Sequence, residues 1–331
     1  MKLVSYLQNG EVKIGAVVKN DIYPLHEVNE TLSNDIISFL KLDDKIKQEA
    51  EKKLLSMVGA QNLISPVKDV ELLAPVPRPI SCRDGYAFRQ HVAAARRNRG
   101  VEMIQEFDQY PIFYFTNHNA VQGPGNVYCM PDHFQQLDFE LEIAIVIGKE
   151  GRNIKAKDAD NYIAGFTIMN DLSARKLQME EMLLNLGPAK GKDFSTVIGP
   201  WLVTPNELES CLVPAKQGHV GNNYNLSMKC WVNDILVSEG NVKDMDWTFA
   251  EIIERVSYGV TIYPGEVIGS GTVGTGCFLE LNGTGKLINP NYIPQWLQPN
   301  DVVTMQIDAL GSLVNTIKAE STDWSILSLK K

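Results

Sequence analysis

The chain has 331 residues, more than one compact core usually holds, and its 44% hydrophobic and 21% charged residues are ordinary for a water-soluble globular protein. Its net charge is −9 and its basic residues form no block denser than "ARRNRG" at 95–100. That argues against nucleic acid and anionic membrane as partners, while a small anion in a local cationic pocket is compatible. No apolar run reaches the length of a transmembrane helix, and the start "MKLVSYLQNGEVK" has no signal-peptide core. The five cysteines, Cys82, Cys129, Cys211, Cys230 and Cys277, are dispersed, with no C-x-x-C pair. They read as reduced, buried thiols, and the protein as cytoplasmic.

In chain order, "LVSYLQNGEVKIGAVVKNDIYPL" places Asn9-Gly10 between two alternating runs, the signature of a type I′ hairpin, and Asn20-Asp21 suggests a second turn. A helix is expected over "DDKIKQEAEKKLLSMV", acidic at its start and lysine-bearing further on. Pro75, Pro77 and Pro79 then make "LLAPVPRPISC" an extended connector. This sets a domain boundary near residue 75, with a small N-terminal α+β domain over 1–75 and a larger domain over 76–331. Apolar runs, glycines and turns dominate the second part, with helical patterns only near 86–99, 173–185 and 248–256. The fold class is α+β, β-dominated.

The run "LDFELEIAIVIG" at 137–148 reads as a strand buried on both faces, with Glu140 and Glu142 at its entrance pointing the same way. Two like charges there call for something positive between them. A second apolar run, "YIAGFTIMND", ends at Asp171 just before the helical "LSARKLQMEEML", and "SCRDGYAFRQHV" sets Asp84 before another helical stretch. Four carboxylates from three places suit a hard divalent cation, Mg²⁺, Mn²⁺ or Ca²⁺, and not Zn²⁺. By itself, an E-x-E pair on a strand is more often a solvated face.

Taken together these segments resemble the fumarylacetoacetate hydrolase family, nearest its fumarylacetoacetase branch, over residues 80–318. "RDGYAFRQH" resembles the family's D-x-Y-x-x-R-Q-H segment, which implies Asp84 as a metal ligand, Tyr86 as a substrate contact and His91 as general base. "LDFELE" resembles the E-x-E metal pair, hence Glu140 and Glu142. "MNDLSARKLQ" implies Asp171 as the remaining ligand, with Arg175 and Gln178 as polar groups of the pocket. "GPAKGKDFSTVIGPW" implies Lys192 and Thr196 at the metal site, "GEVIGSGTVG" implies Thr272 at the substrate, and "CFLELNG" implies Glu280 as the carboxylate that orients the base. At "FYFTNHNAVQGPG" the family's tyrosine-bearing substrate segment is not recognisable. The resemblance further implies a mixed β-roll/β-sandwich catalytic domain, a homodimer, and a small keto or diketo acid as substrate, in aromatic amino acid catabolism among other settings.

The chemistry gives these residue types a purpose. Hydrolysing a C–C bond in a fumarylacetoacetate- or acylpyruvate-like diketo acid leaves a carbanion that must spread its charge into an enolate, and a divalent ion offsets that charge. His91 activates water, Glu280 holds its tautomer, and Lys192, Arg175 and Gln178 are donors to the tetrahedral oxyanion. A 2-keto acid decarboxylase, a hydratase or a sugar-acid dehydratase is compatible with the same site, and a non-catalytic Ca²⁺-binding protein is disfavoured by the presence of His91 and Lys192. His26, His133 and His219 read as surface residues of turns, and His118 lines either a pocket or a turn. Glu280 reads as a position on an alternating strand. "GSGTVGTG" lacks the G-K-[ST] ending of a phosphate loop.

Overall fold

The computed structural model describes residues 1–30, 32–58 and 65–331. The N-terminal hairpin forms as its Asn-Gly pair requires: Lys2–Gln8 (β1) and Glu11–Val18 (β2) flank Asn9 and Gly10, both at positive φ, 54° and 79°. The next turn, into Asp21–Pro24 (β3), sits one residue earlier than expected and puts Lys19 at φ 60°. Asp44–Met57 forms helix α1, capped by the Asp43 carboxylate, which accepts from Lys45 N at 2.8 Å.

The larger part contributes Cys82–Gly85 (β4), Phe113–Thr116 (β5), Gly125–Cys129 (β6), Leu141–Ile147 (β7), Ile163–Asp171 (β8) and Thr196–Val203 (β9). It continues with Ser227–Val232 (β10), Ile235–Asn241 (β11), Val267–Gly269 (β12), Val302–Ile307 (β13) and Gly311–Ala319 (β14). A mixed sheet runs β3-β2-β1-β9-β8-β7-β12-β4-β5, and a five-stranded sheet runs β11-β10-β13-β14-β6. The connector around residue 75 does not interrupt the first sheet. Strand β1 pairs antiparallel with β9, with Leu3 opposite Leu202, so residues 1–75 join the rest edge to edge.

Strand β7 explains why its sequence is apolar throughout. All seven residues are buried. Ile143, Ile145 and Ile147 enter the core that includes Met228, Val303 and Leu313 of the five-stranded sheet, while Ala144 and Val146 enter the core that the N-terminal part builds from Leu3, Ile14 and Phe39. The two faces of one strand therefore serve two cores, and period-two geometry puts Glu142 in register with Ala144 and Val146.

Four further helices are Arg89–Asn98 (α2), Arg175–Met182 (α3), Phe249–Ser257 (α4) and Phe278–Ile288 (α5), of which α2 carries His91, α3 Arg175 and Gln178, and α5 Glu280. The last is a correction. "CFLELNG" is helical, not a strand. Cys277 caps it, its sulfur accepting from Glu280 N at 3.5 Å. The alternation that suggested a strand has another cause: Phe278, Glu280 and Asn282 are all buried, the latter two for polar contacts. Among the described residues no helix is long and apolar enough to cross a membrane.

Candidate metal centre and active site

Three strands of the mixed sheet, with Glu140 just ahead of one of them, deliver the acidic residues to one place. Asp171 ends β8, Glu142 lies in the adjacent β7, and Asp84 lies in β4, with β12 between β7 and β4. Thr196 of β9 stands opposite Asp171, and Tyr114 of β5 stands opposite Asp84. Carboxylate oxygens of Asp84, Glu140, Glu142 and Asp171 lie within 4.8 Å of one another, all buried. Gly269 makes this possible. A Cβ there would sit 2.5 Å from Asp84 Oδ1 and 2.9 Å from Glu142 Oε2.

The positive charge expected between Glu140 and Glu142 is unequally shared. Lys192, on the helical turn Ala189–Lys192, bonds Glu140 Oε2 and reaches Asp171 Oδ2 at 2.6 Å. Arg175 donates to Glu140 Oε1 at 2.7 Å. Glu142 meets neither cation at hydrogen-bond distance among the described residues, and receives the Thr272 hydroxyl at 3.4 Å. Glu142 Oε2 and Asp171 Oδ1 are buried and meet no donor among the described residues. Two orphaned carboxylate oxygens in a cage of four acids fit a hard divalent cation. The electrostatics agree. Burial, then the charge of Asp171, pushes Asp84 up to about 7. Burial, then Asp84, pushes Glu142 well above the carboxylate range. Burial likewise raises Asp171. Burial also works against the charge on Glu140, but Lys192 and Arg175 outweigh it and hold that carboxyl below its ordinary range. Lys192 stays charged: burial opposes it, and Asp171 and Glu140 prevail.

Beside the cage stands an oriented base. His91 Nδ1 is 2.6 Å from Glu280 Oε2, and Glu280 Oε1 accepts from Thr275 N at 3.0 Å. This leaves Nε2 as the free ring nitrogen. Tyr86 meets the His91 ring edge-on, centroids 6.0 Å apart. Arg175 directs its donors at protein groups: Nε to Asp138 Oδ2 at 2.9 Å, Nη2 to Glu140, and Nη1 to Gln178 Oε1 at 3.0 Å. In this arrangement it positions a cage carboxylate. Lys192 is held close to Gln178 by Gly191, where a Cβ would lie 2.5 Å from the Gln178 backbone. The Thr196 hydroxyl faces that of Thr116 at 3.5 Å.

Two site residues escaped the sequence. Tyr114 donates to Asp171 Oδ2 at 2.5 Å, from within the segment where no tyrosine motif was recognisable. Its alternation with Phe113 and Phe115 was the available signal. Asp138 accepts from Arg175 and from Phe278 N and Leu279 N at 2.7 and 2.9 Å, tying the cage to the start of α5. It shares the spacing of Glu140 and Glu142. The expectation for His133 is corrected: it is buried and lies against Phe194, ring centroids 4.0 Å apart, whereas His26 and His118 are exposed.

This geometry stands beside clear likenesses. The family described as fumarylacetoacetate (FAA) hydrolase, C-terminal, matches residues 81–318. The chain belongs to the fumarylacetoacetate hydrolase family. The fumarylacetoacetate hydrolase domain-containing protein 2 homolog of Dictyostelium discoideum is 30% identical over 324 residues, 96% of this chain and 97% of that one. The human mitochondrial oxaloacetate tautomerase FAHD2A is 32% identical over 301 residues, 88% of this chain and 82% of its own. Oxaloacetate tautomerase YisK of Bacillus subtilis is 30% identical, covering 87% and 88%. Among solved structures, a fumarylacetoacetate hydrolase from psychrophilic Exiguobacterium antarcticum is 26% identical with a TM-score of 0.68, covering 97% of this chain and 100% of that one. Relatives named as oxaloacetate tautomerases shift the likeness away from the fumarylacetoacetase branch expected from the motifs. Among the described residues, the family's site draws no side chain from 1–75.

Proposed function

We propose that the protein is a metal-dependent enzyme that interconverts the keto and enol forms of a small 2-oxo dicarboxylic acid such as oxaloacetate, with His91 as the base. The observation that carries this reading is that base and cage meet: a ring nitrogen of His91 lies within 4.8 Å of an oxygen of Glu140, itself a member of the four-carboxylate group. Glu140, Glu142, Asp171 and Asp84 would hold the ion, which supplies the positive charge that an enolate oxygen needs. His91 Nε2 takes a proton from C3. The electron pair left behind becomes the C2–C3 double bond, and the C2 carbonyl electrons move onto oxygen. Protonation of that oxygen gives the enol, and the reverse sequence gives the ketone. Glu280 accepts Nδ1–H and stabilises the imidazolium while the proton is held. The names of the relatives support a tautomerase.

Hydrolysis of a C–C bond in a diketo acid is the second reading, favoured by the likeness to the Exiguobacterium hydrolase. There the same imidazole takes its proton from water. Turnover in ¹⁸O-labelled water with Mg²⁺ separates the two. The tautomerase reading predicts faster enol decay of oxaloacetate and no labelled cleavage product from an acylpyruvate. Label in a newly formed carboxylate, without acceleration of the tautomer exchange, replaces it by the hydrolase.

A further inference from the structure

Cys277 has no part in the reaction described, yet it lies at its edge. Its sulfur, a ring nitrogen of His91 and a carboxylate oxygen of Glu140 all fall within 4.8 Å of one another, and all three residues are buried. Among the described residues this is the one His/Cys/acid grouping besides the four-carboxylate cage. We infer that His91, Glu140 and Cys277 form a second metal site, selective for a borderline-soft ion such as Zn²⁺, that shares Glu140 with the hard-cation cage and inactivates the enzyme when filled.

Donor chemistry and charge both point there. One imidazole, one thiolate and one carboxylate with a position left open is a zinc-type ligand set, whereas the all-oxygen cage is a hard-cation set. Nδ1 of His91 is already bound to Glu280, so Nε2 carries the free lone pair, and a carboxylate on the far side of a ligating histidine fixes its tautomer and ring orientation. Cys277 caps α5 through its sulfur, which fixes that sulfur beside His91 and Glu140. The charge count leaves room for a second cation. Around the cage and the base, Asp84, Asp138, Glu140, Glu142, Asp171 and Glu280 are six buried carboxylates, and the buried cations bonded to them are Arg175 and Lys192. One divalent ion in the cage leaves two negative charges unbalanced. Binding at Cys277 releases the thiol proton to solvent and forms one metal–sulfur bond, with no change of oxidation state. An ion on Nε2 occupies the lone pair that accepts the substrate proton. Metal binding here is independent of the reaction assigned above, and only the inactivation rests on it.

Co²⁺ is the probe, because a thiolate ligand gives it a near-ultraviolet charge-transfer band that carboxylate and imidazole ligands do not. Titrating Co²⁺ into the Mg²⁺-saturated protein should produce that band with one equivalent bound at the new site. Cys277→Ser keeps an oxygen cap on α5 and should lose the band while still binding one ion in the cage. Zn²⁺ should lower turnover by roughly 10²-fold or more, the scale of a general-base contribution, reversibly with chelator, in wild type but not through this site in Cys277→Ser. Absence of the band in the wild-type protein at saturating Co²⁺ overturns the proposal, whatever the variant does. A band that persists in Cys277→Ser assigns the thiolate to another cysteine and overturns it equally. If the band appears and Zn²⁺ leaves turnover unchanged, the site stands and the role of His91 as base falls.

Discussion

Asp84 and Glu142 face one another across Gly269, in strands β4 and β7 separated by β12. Burial, then the charge of Asp171, pushes Asp84 up to about 7, and burial, then the charge of Asp84, pushes Glu142 well above the carboxylate range. A cation must therefore displace a proton. Its affinity should rise with pH through about 7, by about tenfold per pH unit for each proton displaced. Calorimetric titration of Mg²⁺ in buffers of different ionisation enthalpy reads the released proton directly. An affinity that ignores pH across this window would mean that these carboxylates do not bind the ion.

Gly269→Ala tests the same contact sterically. Its Cβ would lie 2.5 Å from Asp84 Oδ1 and 2.8 Å from the Met169 sulfur, so the carboxylate must move. Mg²⁺ affinity should drop by roughly 10–100-fold, the scale of a disturbed ligand environment, with the fold retained by circular dichroism. Unchanged affinity in a folded variant would place the ion elsewhere.

Tyr114→Phe removes the 2.5 Å hydrogen bond to Asp171 Oδ2 and leaves Lys192 as that oxygen's partner. The expected result is again a loss of roughly 10-fold or more in metal affinity, with little change in melting temperature. A variant that melts early but binds metal normally would make Tyr114 a packing residue only.

His133 gives the fold an acid-sensitive point away from the cage. Burial lowers its pKa from 6.5 to about 4, and Nδ1 accepts from Met130 N at 3.2 Å. The unfolded imidazole binds a proton below about 6.5, and the folded one only below about 4. Stability from this group is therefore full above the first value and lost as pH falls to the second. The loss is about 3 kcal/mol. Urea unfolding of wild type and His133→Gln should show their stability difference shrinking across that window. A pH-independent difference would show that His133 is not buried neutral.

How much of this was legible in sequence depends on the range of the signal. Asn9-Gly10 dictated its turn through local backbone preference alone, and the β7 run announced burial on both faces because no solvent face interrupts it. Glu140, Glu142 and Asp171 stood out as charges at the ends of apolar runs. Glu280 was reached through the family resemblance alone, and its helix was misread as a strand because burial of polar side chains on α5 imitates strand alternation. Tyr114 was hidden because its partner Asp171 is distant in sequence and meets it only through strand pairing. The attachment of Arg175 to Asp138 and Glu140 was invisible for the same reason: a guanidinium on a helix shows which face it shares, not which carboxylates it will meet.

Among the described residues, His91 is the one ionisable base beside the cage whose ring is oriented by a carboxylate. The direct measurement is the rate of oxaloacetate enol-to-keto conversion, followed by ultraviolet absorbance with Mg²⁺ saturating, for wild type and His91→Ala, with bound metal quantified in both. Loss of roughly 10²–10⁴-fold in rate, with metal content unchanged, is the predicted result for a general base beside an intact cage. A His91→Ala protein that retains the wild-type rate, or loses its metal along with it, would contradict the assignment.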